Sequence, residues 1–381
     1  MKTISSLAIH TILLVACAFP AFAAPAAKPV KIGLMAPLTG AFASEGQDMQ
    51  KIVELMVEET NRTGGIDGNP VELLVEDDGS SPRAAATAAS RLVAKGAIAA
   101  IGTYGSAVTE ASQDIYDEAG VVQIATGSTS IRLTSKGLKR FFRTCPRDDE
   151  QGRVAVAVLE KFAYKRIAIL HDNSAYAKGL AEEAKKLLDA NKNVQIIFYD
   201  ALVPGERDYS VIITKIKGLQ PDALLFTGYY PEAGMLLRQM KEMKWSLPIF
   251  GGDATNNRDL VKIAGAEAAS GFMFISPPPP EDIQGAAAEN FLNAYRAKHQ
   301  EYPGSVWSVL AGDAYLTLCE AVRQRGVDPA AIAEFLHKDL KDFAGLTGKI
   351  SFDNQGDRLG DLYGLYKVAP DGTFTLVPER P

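Results

Sequence analysis

Histidine, cysteine and tryptophan are scarce in these 381 residues, at four, three and two copies, and each scarcity removes a class of chemistry. His10, His171, His299 and His337 are scattered along the chain, so no pair at metal-ligating spacing is visible. His171 ends an apolar run where a base could work, but no nucleophile is paired with it, which favours a structural role. The cysteines are Cys17, Cys145 and Cys319, without a Cys-x-x-Cys unit. A pairing of Cys145 with Cys319 is open in an oxidising compartment. Cys319 lies in the apolar helix-like run Ala314 to Val322 and reads as a buried free thiol.

Other absences are as informative. The chain has no Gly-x-Ser-x-Gly elbow, no His-Glu-x-x-His and no Gly-Lys-Ser or Gly-Lys-Thr phosphate loop. Gly102 and Gly105 follow an apolar run, but the third glycine of a dinucleotide fingerprint is missing. These gaps argue against an enzyme, and no cofactor or metal is expected. Basic clusters are also lacking: 40 Lys and Arg against 46 Asp and Glu leave a net charge of −6. That balance disfavours nucleic acid and anionic lipid as partners.

A long apolar run occurs once. Lys2 precedes Leu7 to Phe19, and Ala21-Phe22-Ala23 closes the segment with small residues at cleavage spacing, so residues 1–23 read as a removable export signal. Leu14-Val15-Ala16-Cys17 also resembles a lipobox, which makes lipid anchoring through Cys17 the alternative. A chain of this length holds two domains of ordinary size.

Beyond the signal, strand and helix alternate, twice over. Lys31 to Ala36 reads as a buried strand, Pro37 to Gly46 as a loop, and Met49, Ile52, Val53, Met56 and Val57 as one face of a helix. Strands over 71–76, 97–101 and 121–125 alternate with helices over 82–95 and 106–119. The pattern restarts beyond Asp149 with helices over 151–162, 175–190, 208–217 and 232–243. Strands over 166–171, 194–199, 223–227, 248–250 and 271–275 lie among them. Pro277 to Pro280 is a stiff break, helices dominate from Ala286 to Lys338, and strand-like segments over 348–352, 362–368 and 373–377 close the chain. Such alternation implies two doubly wound α/β lobes with parallel sheets.

Ligands of open parallel sheets sit beyond the carboxyl ends of the strands. There, Gly102-Thr103-Tyr104-Gly105-Ser106 opens a helix whose free N–H groups and positive dipole end suit a carboxylate. Thr126-Gly127-Ser128-Thr129-Ser130 offers hydroxyls one strand away, although Ser106 could be a simple N-cap and this run a simple turn. Asp253, after a strand of the second unit, is placed to face an ammonium, and together these features read as an α-amino acid site. Tyr176 and Tyr229, at other strand ends, could cover an apolar ligand body or be surface aromatics near turns.

Lys31-Ile-Gly-Leu, Thr39-Gly40, Gly64-Gly65-Ile66-x-Gly68, Asp77-Asp78, Ile101-Gly102, Asp114-Ile115-Tyr116, Arg166-Ile-Ala-Ile-Leu-His171-Asp172 and Gly228-Tyr229-Tyr230-Pro231-Glu232 resemble the leucine/isoleucine/valine-binding proteins. Those are periplasmic receptors of branched-chain amino acid ABC transporters. The resemblance extends from Lys28 to the end of the chain and implies a type I periplasmic-binding-protein fold, two lobes on a three-segment hinge. Lobe one is then expected over 28–146 and 279–358, lobe two over 147–278 and 359–381.

By the same resemblance, Ser106 and Thr129 bind the ligand carboxylate with the backbone at Ser128. The Gly127 carbonyl, Thr129 hydroxyl and Asp253 hold the ammonium. Tyr176 and Tyr229 close over the ligand, and Trp307 lines the side-chain pocket. A membrane permease is the implied partner, the periplasm the implied location, and a monomer the implied state; a sensor or chemotaxis receptor is the alternative partner. Two departures stand out. Ser80 and Gly105 occupy the positions of a disulfide found in some members, and Glu45 occupies the position of an aromatic residue beside the ligand side chain. Glu45 in that pocket suits a polar or cationic side chain, and ligand identity stays open within amino acids and related small carboxylates. Otherwise Ser44 and Gln47 form a capping box and Glu45 turns to solvent.

Overall fold

The computed structural model describes residues 28–378. The export signal and Cys17 lie outside the described residues.

A first unit runs β1 (Val30–Ala36), α1 (Ala43–Arg62), β2 (Val71–Asp77), α2 (Pro82–Ala94), β3 (Ala99–Ile101), α3 (Ser106–Glu118), β4 (Val122–Ala125), α4 (Arg132–Ser135) and β5 (Phe141–Arg143). Its strands pair in parallel in the order β2-β1-β3-β4-β5. A second unit comes next: α5 (Asp148–Lys161), β6 (Arg166–His171), α6 (Ala175–Ala190), β7 (Gln195–Ala201), α7 (Ser210–Leu219), β8 (Ala223–Phe226), α8 (Tyr230–Glu242), β9 (Ile249–Gly251), α9 (Asp259–Ala264), α10 (Ala266–Ala269) and β10 (Met273–Ser276). The remainder is α11 (Ala286–His299), α12 (Val306–Arg325), α13 (Pro329–Lys338), β11 (Phe343–Gly345), β12 (Gly348–Ile350), β13 (Gly364–Val368) and β14 (Phe374–Leu376).

The chain passes between the sheets three times, after β5, after β10 and after β12. Helices α11 to α13 return to the first sheet, where α12 packs along α1 in one apolar core. Strands β13 and β14 return to the second sheet, whose order is β14-β13-β10-β9-β8-β6-β7. The expected parallel pattern holds through β10, and then β13 and β14 join antiparallel at the edge. Pro277 to Pro280 falls in the second passage, where fixed φ angles and missing N–H groups cost no sheet pairing.

The apolar face foreseen for α1 is real: Met49, Ile52, Val53, Met56 and Val57 are buried. Burying each such side chain is worth about 1.5–3 kcal/mol, and this anchors the helix on both the sheet and α12. Two expectations need correction. Helix α1 starts at Ala43, inside the segment expected to be loop, because Gly46 lets the first turn lie against Pro37, where a Cβ would collide with backbone. The short strand β5 was not foreseen; three residues are too few for an alternating pattern to register. Cys145 and Cys319 are both buried free thiols, so the possible disulfide between them is not made. Burial pushes their pKa values up, to about 12 and about 11.

Candidate functional site

The carboxyl ends of β3, β4 and β5 face those of β6, β8 and β9. Ser106 is the first residue of α3, with Gly105 as N-cap, so the N-cap expectation for Ser106 fails by one residue. Its Oγ accepts from the Ser130 N–H at 3.2 Å, tying the helix start to the loop after β4. Gly127 in that loop lies flat on Tyr104: a Cβ would stand 2.6 Å from its Cδ2. The Ser128 hydroxyl is engaged by the protein, 2.6 Å from Thr109 Oγ1 and within 3.2 Å of the Thr103 and Tyr104 carbonyls. Only the Ser128 backbone is left to meet a ligand. Thr129 is different, because its hydroxyl is buried and makes no hydrogen bond of regular geometry in the protein.

Arg143 holds this loop in shape. Fully buried at the end of β5, it donates from Nη1 to the carbonyls of Ser128 (3.0 Å) and Ser130 (2.9 Å), and from Nη2 to Thr134 Oγ1 (2.8 Å). Its Nε closes a short ion pair with Asp357, which also takes Arg147 Nη1 at 2.7 Å.

Opposite stands Asp253, 1% exposed, at the end of β9. Its Oδ2 accepts from the Tyr363 hydroxyl at 2.8 Å, and its N–H donates to Gln151 Oε1 at 3.0 Å. Burial pushes its pKa up to about 6, held back by hydrogen bonds from Tyr363 and Tyr176. Tyr176 is fixed by the Ala254 N–H, which donates to its hydroxyl at 3.3 Å, and its ring lies 5.2 Å from that of Tyr229. Tyr229 in turn meets Phe42 at 4.4 Å and Tyr104 at 5.9 Å, so it touches the first unit directly. Neither tyrosine is a surface aromatic.

Asp148 was not foreseen. It opens α5 and donates its N–H to the Thr129 carbonyl at 3.0 Å, while its carboxyl makes no hydrogen bond of regular geometry and has the Thr129 hydroxyl beside it. Burial drives its pKa well above the usual carboxylate range and the Asp253 charge adds to the shift, while the Thr129 hydroxyl and the Arg143 charge oppose it. A buried carboxylate short of donors is costly. In sequence it is the first of three acids, Asp148-Asp149-Glu150, a pattern that reads as ordinary dipole complementation at a helix start. Tyr104 was legible only as part of a glycine-containing loop, and Gln151 and Tyr363 carried no signal at all.

Thus Ser106, Gly127, Ser128, Thr129, Tyr176, Tyr229 and Asp253 gather where the two units meet, with Asp148 among them. Trp307 and Glu45 lie to one side, beyond Tyr104, whose ring meets that of Trp307 edge-on at 6.3 Å. The capping-box expectation for Glu45 is overturned. Phe42 is the N-cap and makes no side-chain cap, Ser44 Oγ pairs with Tyr230 OH at 3.0 Å, and Gln47 reaches the Leu38 carbonyl. Glu45 is 1% exposed: Asn257 Nδ2 donates to Oε1 at 2.7 Å, and the Ser305 hydroxyl makes a short bond to Oε2. It joins α1 to the loop beyond Asp253 and to the start of α12. Local sequence favoured the cap, but tertiary donors outcompeted it.

Burial raises the Glu45 pKa to about 8, with Asp48 and Asp259 adding repulsion and the two hydrogen bonds opposing it. The folded state therefore holds a proton that the unfolded chain releases near 4.5. Its contribution to stability is full below that value and is lost as pH rises through about 8. Glu45→Gln is expected to flatten the decline in denaturant stability across this window, with the wild-type profile as reference. An unchanged slope would show that the carboxyl does not titrate as its burial requires.

His171 takes the structural role expected, accepting the Asn173 N–H at Nδ1 (3.0 Å). Among the described residues, no helix is long and apolar enough to cross a membrane.

The family model for the periplasmic binding protein matches residues 29–373. The Leu/Ile/Val-binding protein BraC3 of Rhizobium johnstonii is 35% identical over 350 residues, 91% of this chain and 94% of that protein. The leucine-, isoleucine-, valine-, threonine- and alanine-binding protein of Pseudomonas aeruginosa is 32% identical over 355 residues, 92% and 93% of the two chains. The crystal structure of the branched-chain amino acid transporter substrate-binding protein LivJ of Streptococcus pneumoniae, in complex with isoleucine, superposes with a TM-score of 0.84. It is 33% identical, and the match covers 92% of this chain and 99% of that one. With two doubly wound units joined by three passages, the chain belongs to the periplasmic binding protein family and has its type I fold.

Proposed function

We propose that this chain is the periplasmic receptor of an ABC transporter, capturing a small α-amino acid between its lobes and presenting it, as a monomer, to a membrane permease. The lobes comprise residues 28–146 with 279–358, and 147–278 with 359–381. The ligand carboxylate meets Ser106, Thr129 and the backbone at Ser128 at the start of α3, where N–H groups and the helix dipole favour an anion. The ammonium meets the Gly127 carbonyl, the Thr129 hydroxyl, Asp253 and Asp148. Tyr176 and Tyr229 cover the ligand, while Trp307 and Glu45 stand at its side-chain end. The chain works by binding and closure, with no catalytic step.

One observation carries this reading: two buried acids, Asp148 and Asp253, stand with the Thr129 hydroxyl between the units, and no side-chain cation is hydrogen-bonded to either. A cation supplied from outside removes the desolvation cost that the protein leaves uncompensated. A bound ligand at a hundred times its dissociation constant adds ~2.7 kcal/mol to folding stability. A thermal-shift screen of the amino acids is expected to give a clear rise in Tm with at least one of them. No rise with any amino acid defeats the proposal.

A further inference from the structure

Beyond the groups that face the zwitterion, the site has a second polar end. Tyr104 and Trp307 are each 1% exposed, and neither the Tyr104 hydroxyl nor the Trp307 Nε1–H finds a hydrogen-bond partner in the protein. The Phe42 ring centre stands 5.4 Å from that of Tyr104, on which Trp307 also packs. Glu45 lies in the neighbourhood of Tyr104. One face of the Tyr104 ring covers Gly127, at the zwitterion end, and its edge meets Trp307. Tyr104 is therefore the link between the two ends of the site.

We infer that the preferred ligand ends, at its side chain, in a neutral hydrogen-bonding group, a hydroxyl or a carboxamide, in place of a hydrocarbon branch. This rests on the amino acid reading above and specifies its substrate class. The indole N–H can only donate, and the phenol can donate or accept. Each buried donor left unmade costs roughly tenfold or more in a binding constant. A valine or leucine side chain leaves both unmade, whereas an oxygen acceptor at the same place satisfies one or both.

Charged side chains fit less well. Asp48 and Asp259, whose charges reach Glu45, disfavour an anion there. An ammonium would point its hydrogens at the indole N–H, donor against donor. Moreover, both Glu45 oxygens already take neutral donors, Asn257 and Ser305. A hydroxyl or carboxamide oxygen can accept from both Trp307 and Tyr104 without adding a charge.

The test compares ligands matched in shape, titrated calorimetrically into the mature chain after exhaustive dialysis: threonine against valine, and asparagine against leucine. The expected result is a preference of tenfold or more for the polar member of at least one pair. Trp307→Phe, which keeps a ring and removes the N–H, should shrink that preference. Smaller preferences in both pairs, or tighter binding of lysine or glutamate than of all four, overturn the inference while leaving the amino acid receptor standing. Failure of every amino acid to bind overturns both.

Discussion

Asp253→Ala weakens amino acid binding by at least about thirtyfold, with the loss in the dissociation rate. Asp253 is buried at the end of β9, and its carboxylate is oriented by the Tyr363 hydroxyl. Truncating one partner of a buried, hydrogen-bonded charge pair costs about 2–5 kcal/mol and acts mainly on release. The smaller figure sets the lower bound here, because Asp148 remains and still compensates part of the ligand ammonium. Titration calorimetry and stopped-flow release give the two numbers. Asp253→Asn separates charge from shape, since it keeps the volume and one acceptor oxygen. If both variants bind as the parent does, the ammonium lies elsewhere. The ligand-free protein should lose little stability, because removing Asp253 also relieves repulsion with Asp148.

Arg143→Ala has the opposite balance, a large effect on folding that reaches the site indirectly. No part of Arg143 is exposed, and its guanidinium satisfies two carbonyls, one hydroxyl and Asp357. Removing it leaves Asp357 with Arg147, which is 28% exposed, and strips Ser128 and Ser130 of the donors that shape the ligand loop. Breaking a buried pair by deleting one partner costs about 3–5 kcal/mol, a sizeable share of the ~5–15 kcal/mol that holds a typical domain. Denaturant unfolding of the ligand-free chain measures it. A cost below about 1 kcal/mol would mean that the network is dispensable and that loop shape comes from Gly127 and Tyr104 alone.

The structure bears out a sequence pattern that depended on local signals. Short apolar runs marked β1, β6 and β8, which are buried on both faces, and the 3.6-residue period marked α1, whose one buried face must repeat at the helical pitch. The positions of Ser106, Thr129 and Asp253 were legible as well: each follows a strand, on the side where open parallel sheets take their ligands. That of Asp148 was not, although it lies among them: its neighbours Asp149 and Glu150 make it look like one more helix-start acid. Glu45 was misjudged for a related reason, as a sequence-local capping box competes on paper with donors that only folding brings near.

Residue order by itself determined the two α/β units, the strand ends that carry the site, and the family. Tertiary structure alone decided which polar atoms go unpaired. Whether Asp148, Tyr104 and Trp307 find partners depends on groups from other elements, brought within hydrogen-bond range by the fold or left outside it. Hydrogen bonding is short-ranged and directional, so its shortfalls exist only in three dimensions, and those shortfalls are what a ligand is selected to fill.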